Sequence, residues 1–175
     1  MKRIKYFIVH FRSLLKITLK FTKPKKSKIL LFDYTNQVIF QKTIKQKLEV
    51  LFIRLEVINF FILFMAIKFY GIRNLGKNYI KTYIEYVDPK IIITFNELHS
   101  TFYLLKNLLK KKNFFTIAIQ DGFRTLPNFK DFNLKNIKNY KVDKILIFSK
   151  KDEKLYSNIS KSPKNSYNSR KSLTL

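Results

Sequence analysis

The sequence predicts an α/β fold: an open, mainly parallel, Rossmann-like sheet with helices on both faces. Three observations carry that expectation. Short apolar runs recur at 29–33, 50–53, 91–95, 114–119 and 144–148. Stretches with helical spacing of apolar residues separate most of them. Polar clusters follow several of the runs, beginning at Asp33, Asn96 and Gln120. Strands that are apolar throughout, alternating with helices, belong to parallel sheets, because crossover helices cover both faces and leave no polar side.

Residues 1–28 read as a separate basic segment, with ten Lys or Arg and no acid. Phe7, Phe11, Leu14 and Leu15 follow helical spacing between the cations. Such a helix lies on an anionic bilayer or packs on its own domain. Interrupting charges and the lack of a small-residue cleavage site make it a poor secretory signal. Residues 29–157 read as the Rossmann-like domain. Ile29 to Asp33 predicts a buried strand and 37–48 a helix, with a second strand at 50–53. Val57 to Ile67 is the most apolar segment and, at 11 residues, is too short to span a membrane, which takes roughly 20. A buried helix is expected there. Asn74 to Val87 predicts an amphipathic helix, ended by Asp88-Pro89 because proline disfavours helix at the residue before it. The β-branched run Ile91 to Phe95 is the clearest strand. A helix over His99 to Lys110 follows, then a strand at 114–119, a polar connector to about Lys141, a strand at 144–148, and a helix over Lys150 to Asn158 capped by Ser149. The Ser-, Asn- and Lys-rich residues 158–175 carry too little apolar surface for a core and are expected to be disordered.

The chain has no Cys, and its two His are far apart in sequence, so neither a disulfide framework nor a metal centre is expected. No cofactor is expected either. There is no G-x-G-x-x-G and no P-loop, which leaves classical dinucleotide and nucleoside-triphosphate binding without support. The net charge of +25 raises nucleic acid as a partner. Thirty of the 36 basic residues are Lys, however, and base readout and bidentate phosphate contacts favour Arg. With no helix-turn-helix signal and no basic–aromatic strand motif, nucleic acid is not expected.

In an open parallel sheet, function gathers beyond the carboxyl ends of the strands. The candidates there are Asp33, Glu97, His99, Gln120, Asp121, Gly122 and Arg124. Glu97, His99 and Asp121 have the chemistry of general acids and bases. Asp33, Gln120, Gly122 and Arg124 would hold a ligand, Gly122 by leaving the backbone open and Arg124 by clamping an anion. Each also has a structural reading. Asn96 would cap the next helix, Glu97 would sit in its first turn, Gly122 would be a turn glycine, and Arg54 would pair with Glu56.

Asp88-Pro-Lys-Ile-Ile-Ile-Thr-Phe95, Phe102-Tyr103 and Ile119-Gln-Asp-Gly-Phe-Arg124 together resemble a family of surface carbohydrate or O-antigen biosynthesis proteins. Arg54-Leu-Glu-Val-Ile-Asn59 resembles that family's R-G-E-x-I-N, with Leu55 in place of Gly. Asp121 stands where the family has Asn, and Asn96-Glu97-Leu98-His99 departs from its usual loop. The resemblance covers about 28–157. It implies a GT-B-like architecture of two Rossmann-like domains and glycosyl transfer from a nucleotide-sugar donor to a saccharide or lipid-linked acceptor. The implied place is cytoplasmic, peripheral at the inner face of the membrane. This chain matches the first domain, so the expectation is a half without most of the donor site and with little turnover alone. The rivals are a non-catalytic membrane-associated or scaffold protein and a nucleic-acid-binding basic domain.

Overall fold

The computed structural model describes residues 17–44, 46–54, 56–97, 99–110, 112–122, 141–148 and 167–169. The elements in chain order are β1 (Thr18–Lys20), β2 (Ile29–Phe32), α1 (Gln37–Thr43), β3 (Leu48–Leu51), β4 (Val57–Asn59), α2 (Phe60–Tyr70), α3 (Leu75–Val87), β5 (Ile91–Thr94), α4 (Ser100–Leu108), β6 (Phe115–Ile119), β7 (Lys144–Ile147) and β8 (Tyr167–Ser169). The main sheet runs β3-β2-β5-β6-β7-β8, and every described pairing in it is parallel. The predicted open parallel α/β sheet is present, and four of the five predicted strands lie within one residue of their expected bounds.

Alternation along each strand builds a core on both faces. Leu30, Phe32, Leu51 and Ile92 face one side, where they meet α2, α3 and α4 through Ile62, Tyr83, Ile84, Val87, Phe102 and Leu105. Ile29, Leu31, Val50 and Ile93 face the other side, where Phe40 and Ile44 of the α1 region cover them. Leu30, Leu31 and Phe32 are all fully buried, so β2 has no exposed face. That is why its sequence is a continuous apolar run rather than an alternating one.

Three differences from the sequence reading have local causes. The second strand is Leu48–Leu51, not 50–53, because Leu48 pairs with Ile29 and Leu51 with Phe32. Phe52 and Ile53 extend beyond that ladder. The apolar segment at 57–67 is not a buried helix: Val57–Asn59 is a strand paired with β1, and Phe60–Tyr70 is a helix that buries only Ile62 and Ala66 completely. Asn59 makes the switch between them, since its Oδ1 accepts from the Ile62 amide as an N-cap while its Nδ2 donates to the Thr22 carbonyl. The first helix ends at Thr43, earlier than 48.

The boundary at 28 is no structural break. β1 pairs with β4, Pro24 is buried, and the Ser27 hydroxyl donates to the Lys47 carbonyl. Tyr167–Ser169, in the tail expected to lack order, runs beside β7 as an edge strand. Backbone pairing of this kind needs no apolar side chains. The predicted helix over 150–158, with its cap Ser149, lies outside the described residues.

Candidate functional site

From β2 the chain goes to β3 on one side and then crosses to β5 on the other. The order therefore reverses between β2 and β5, which makes this the switch point of the sheet. Asp33 follows β2, and Asn96, Glu97 and His99 follow β5. Gln120, Asp121 and Gly122 follow β6, the next strand along.

Asp33 is buried and has φ 88, a left-handed conformation that a non-glycine residue rarely adopts. Its carboxylate holds that turn together. Oδ1 accepts from the Tyr34 amide at 2.7 Å, and Oδ2 takes Arg54 Nη2 at 2.7 Å and the Thr35 hydroxyl at 3.3 Å. Arg54 also donates to Thr35 Oγ1 at 3.3 Å, and its side chain stays half exposed. Nη2 makes both bonds, and the guanidinium lies 5.9 Å from the Tyr34 ring centre.

The loops are bonded to one another. Asn36 Nδ2 donates to Asp121 Oδ1 at 2.6 Å, joining the β2 loop to the β6 loop. The Asp121 amide lies 3.3 Å from Glu97 Oε2, joining the β6 loop to the β5 loop. Glu97 is fully buried, and its carbonyl accepts from the Tyr103 hydroxyl at 2.6 Å. Gln120 is buried, donating to the Gly122 carbonyl and accepting from the Phe148 amide beyond β7. Asp33, Glu97, His99, Gln120, Asp121 and Gly122 therefore share one edge of the sheet. Arg124 lies outside the described residues.

Several structural readings change. Arg54 pairs with Asp33 rather than Glu56, whose Oε2 is buried without a hydrogen-bond partner. Asn96 does not cap α4: the helix starts at Ser100 with His99 at its N-cap position, and Glu97 precedes its first turn. Gly122 does not have positive φ, and a Cβ there would meet nothing within 4 Å, so neither its conformation nor its packing requires glycine. Arg54 and Asn36 are site residues that sequence reasoning missed. The signal for Arg54 was its place just after a strand in a chain with only six Arg.

Beside this edge is an apolar cavity of about 620 Å³, lined by Phe52, Ile53, Ile58, Leu63, Ile80 and His99 among others. The two residues that overran the β3 ladder, Phe52 and Ile53, form part of its wall. The His99 ring meets Phe32 edge-on with centroids 5.7 Å apart, and its buried Nδ1 has no hydrogen-bond partner. Burial lowers the His99 pKa below its usual value; nearby Asp33 opposes the shift and Arg54 reinforces it. The imidazole is thus held neutral near pH 7, with one nitrogen unengaged.

The arrangement combines a neutral base, a half-exposed guanidinium for an anionic group, and an apolar space beside them. Among the described residues no group of three His, Asp or Glu side chains is placed to hold a metal ion. Comparison with known proteins finds no family model, curated protein or solved structure that matches the chain.

Proposed function

We propose that this chain is a glycosyltransferase-type unit of surface polysaccharide synthesis and serves the acceptor side of the transfer. The observation that carries the reading is the 620 Å³ apolar cavity, with His99 in its wall, at the edge where the loops of a parallel sheet converge. An acceptor made of a sugar on a lipid carrier has the matching parts. Its chain would occupy the cavity, and its sugar hydroxyl would approach His99. His99 would take the hydroxyl proton as the acceptor oxygen forms a bond to the donor's anomeric carbon. The anomeric carbon–phosphate oxygen bond breaks, and the departing nucleotide diphosphate keeps its electron pair. Arg54, and Arg124 in the segment that follows β6 in sequence, would hold anionic groups. The nucleotide-sugar itself would be bound mainly by a second Rossmann-like unit, as the resemblance implies. The work would be done at the cytoplasmic face of the membrane, with the basic residues that precede β1 as a peripheral anchor. Among the described residues no helix is long and apolar enough to cross a bilayer.

The test is titration of a short-chain polyprenyl diphosphate-linked sugar into the full chain, followed by NMR line shifts or thermal denaturation. Saturable binding is expected, weakened about tenfold or more by Ile53→Asp, which buries a carboxylate in the cavity wall. His99→Gln should bind but abolish sugar transfer into the lipid fraction of membranes supplied with nucleotide-sugar. A folded chain that binds no lipid-linked sugar would overturn the reading.

A further inference from the structure

A helix that is apolar around its circumference belongs in a core or a membrane. α2 reads FFILFMAIKFY, yet one side of it is bare. Its inner side, Ile62 and Ala66, packs on the domain. On the opposite side Phe60, Phe64 and Ile67, spaced i, i+4, i+7, are 46%, 59% and 40% exposed. Phe21, 69% exposed, extends the stripe with its ring 5.4 Å from that of Phe60. Ile72 lies bare just past the helix.

The charge around this stripe is of one sign. Residues 57–84 contain Lys68, Arg73, Lys77 and Lys81 and no acid. Lys20 and Lys23 come from the strand and loop beside it, Lys23 standing over the Phe61 ring and Lys81 over that of Tyr70. Two acids flank the stretch, Glu56 just before it, with Oε2 buried, and Glu85 just after it, bonded to the Tyr70 hydroxyl.

We propose that the outer face of α2 docks on an anionic lipid bilayer, with Phe60, Phe64, Ile67 and Phe21 entering the interface and the cations meeting headgroups. Charge decides among the occupants. A second copy of the chain would bring the same cations against one another. Residues 1–16 carry five Lys or Arg and no acid, so they repel the patch too. An anionic surface complements both the patch and that segment. The chain enters β1 from the basic segment, and β1 pairs with β4, which leads directly into α2. The basic segment thus joins the described chain at a strand that pairs with the one leading into α2. Aromatic side chains flanked by Lys and Arg are suited to the zone between headgroups and acyl chains. This surface deepens the peripheral attachment proposed above and is independent of the glycosyl-transfer reading.

The chain has no Trp, so Phe64→Trp creates a single optical reporter on the stripe. The full-length variant is mixed with phosphatidylcholine vesicles or with phosphatidylcholine–phosphatidylglycerol vesicles. Expected with the anionic vesicles are a blue-shifted emission and quenching by lipids brominated on the acyl chain. Sedimentation of the otherwise native chain then gives the partition coefficient. Phe64→Ser should lower it about tenfold, and Lys68→Ser about fivefold, at unchanged circular dichroism. Phe115→Ser, at an exposed aromatic of β6, should leave it unchanged. Deleting residues 1–16 should weaken partitioning and leave the Phe64 effect in place. Four results would overturn the proposal: partitioning indifferent to Phe64→Ser, an indole emission from the Phe64→Trp variant that stays red in the sedimented complex, equal binding to both vesicle types, or a Phe64→Ser change seen only in oligomeric state. Failure of lipid-linked sugar binding alongside intact vesicle docking would sink the acceptor reading alone.

Discussion

Asp33 shows how much one residue of this edge is asked to do. It combines burial, a left-handed backbone and a carboxylate whose strongest partner is one guanidinium. Among the described residues, removing that partner leaves the buried carboxylate with the Tyr34 amide and the Thr35 hydroxyl. Arg54→Leu should therefore destabilise the fold by about 1–2 kcal/mol in a denaturant titration, less than for a fully buried pair because the Arg54 side chain is half exposed. Asp33→Asn keeps a residue tolerant of positive φ while removing the charge, and in combination with Arg54→Leu it should recover part of the loss. His99 sets a pH dependence whose sign follows from burial. Its folded pKa lies below 6.5, so at mildly acidic pH the unfolded chain binds more protons than the folded one. Stability should fall as pH drops through 6.5 toward the folded value, and His99→Gln should flatten that slope between about pH 7 and 5. The candidate residues were legible in sequence because each follows an apolar strand. Their bonds were not. Arg54 reaches Asp33 and Asn36 reaches Asp121 across gaps that only the sheet order closes.

At the scale of elements, apolar runs marked strands well wherever the strand is buried on both faces, as in β2 and β5. They failed at 57–67, where an eleven-residue run read as one buried helix. Periodicity cannot separate a short strand feeding a helix from a longer helix when nearly every position is apolar. The dividing signal was Asn59, the one polar residue of that run, which caps α2 and ties Thr22 beneath it. Asn59→Ala should cost about 1–2 kcal/mol and loosen β1 together with α2. Amide hydrogen exchange should show that coupling as faster exchange at both Ile62 and Thr18, whose amide donates to the Glu56 carbonyl. A loss confined to α2 would mean that the Thr22 bond contributes nothing.

The whole molecule rests on the stack through β2 and β5, where Leu30, Phe32 and Ile92 are buried in one core and Ile29, Leu31 and Ile93 in the other. Ile92→Ala should cost about 2–5 kcal/mol in equilibrium unfolding, while Val38→Ala on the exposed side of α1 should stay within about 0.5 kcal/mol. The overall class was legible because strand and helix periods alternate. The order of strands was not, because an apolar run carries no address for its neighbour. That order also governs time. β2 is made early but occupies an interior position in the sheet, and its partner on one side, β5, begins only at Ile91. At roughly 5–20 residues per second, β2 waits for several seconds during synthesis with an open backbone edge and wholly apolar side chains. Only the nearer strand β3 can pair with it sooner. A nascent chain arrested between Leu51 and Ile91 would thus display an unsatisfied ladder, and should be bound by chaperones more strongly than one arrested after Ile119.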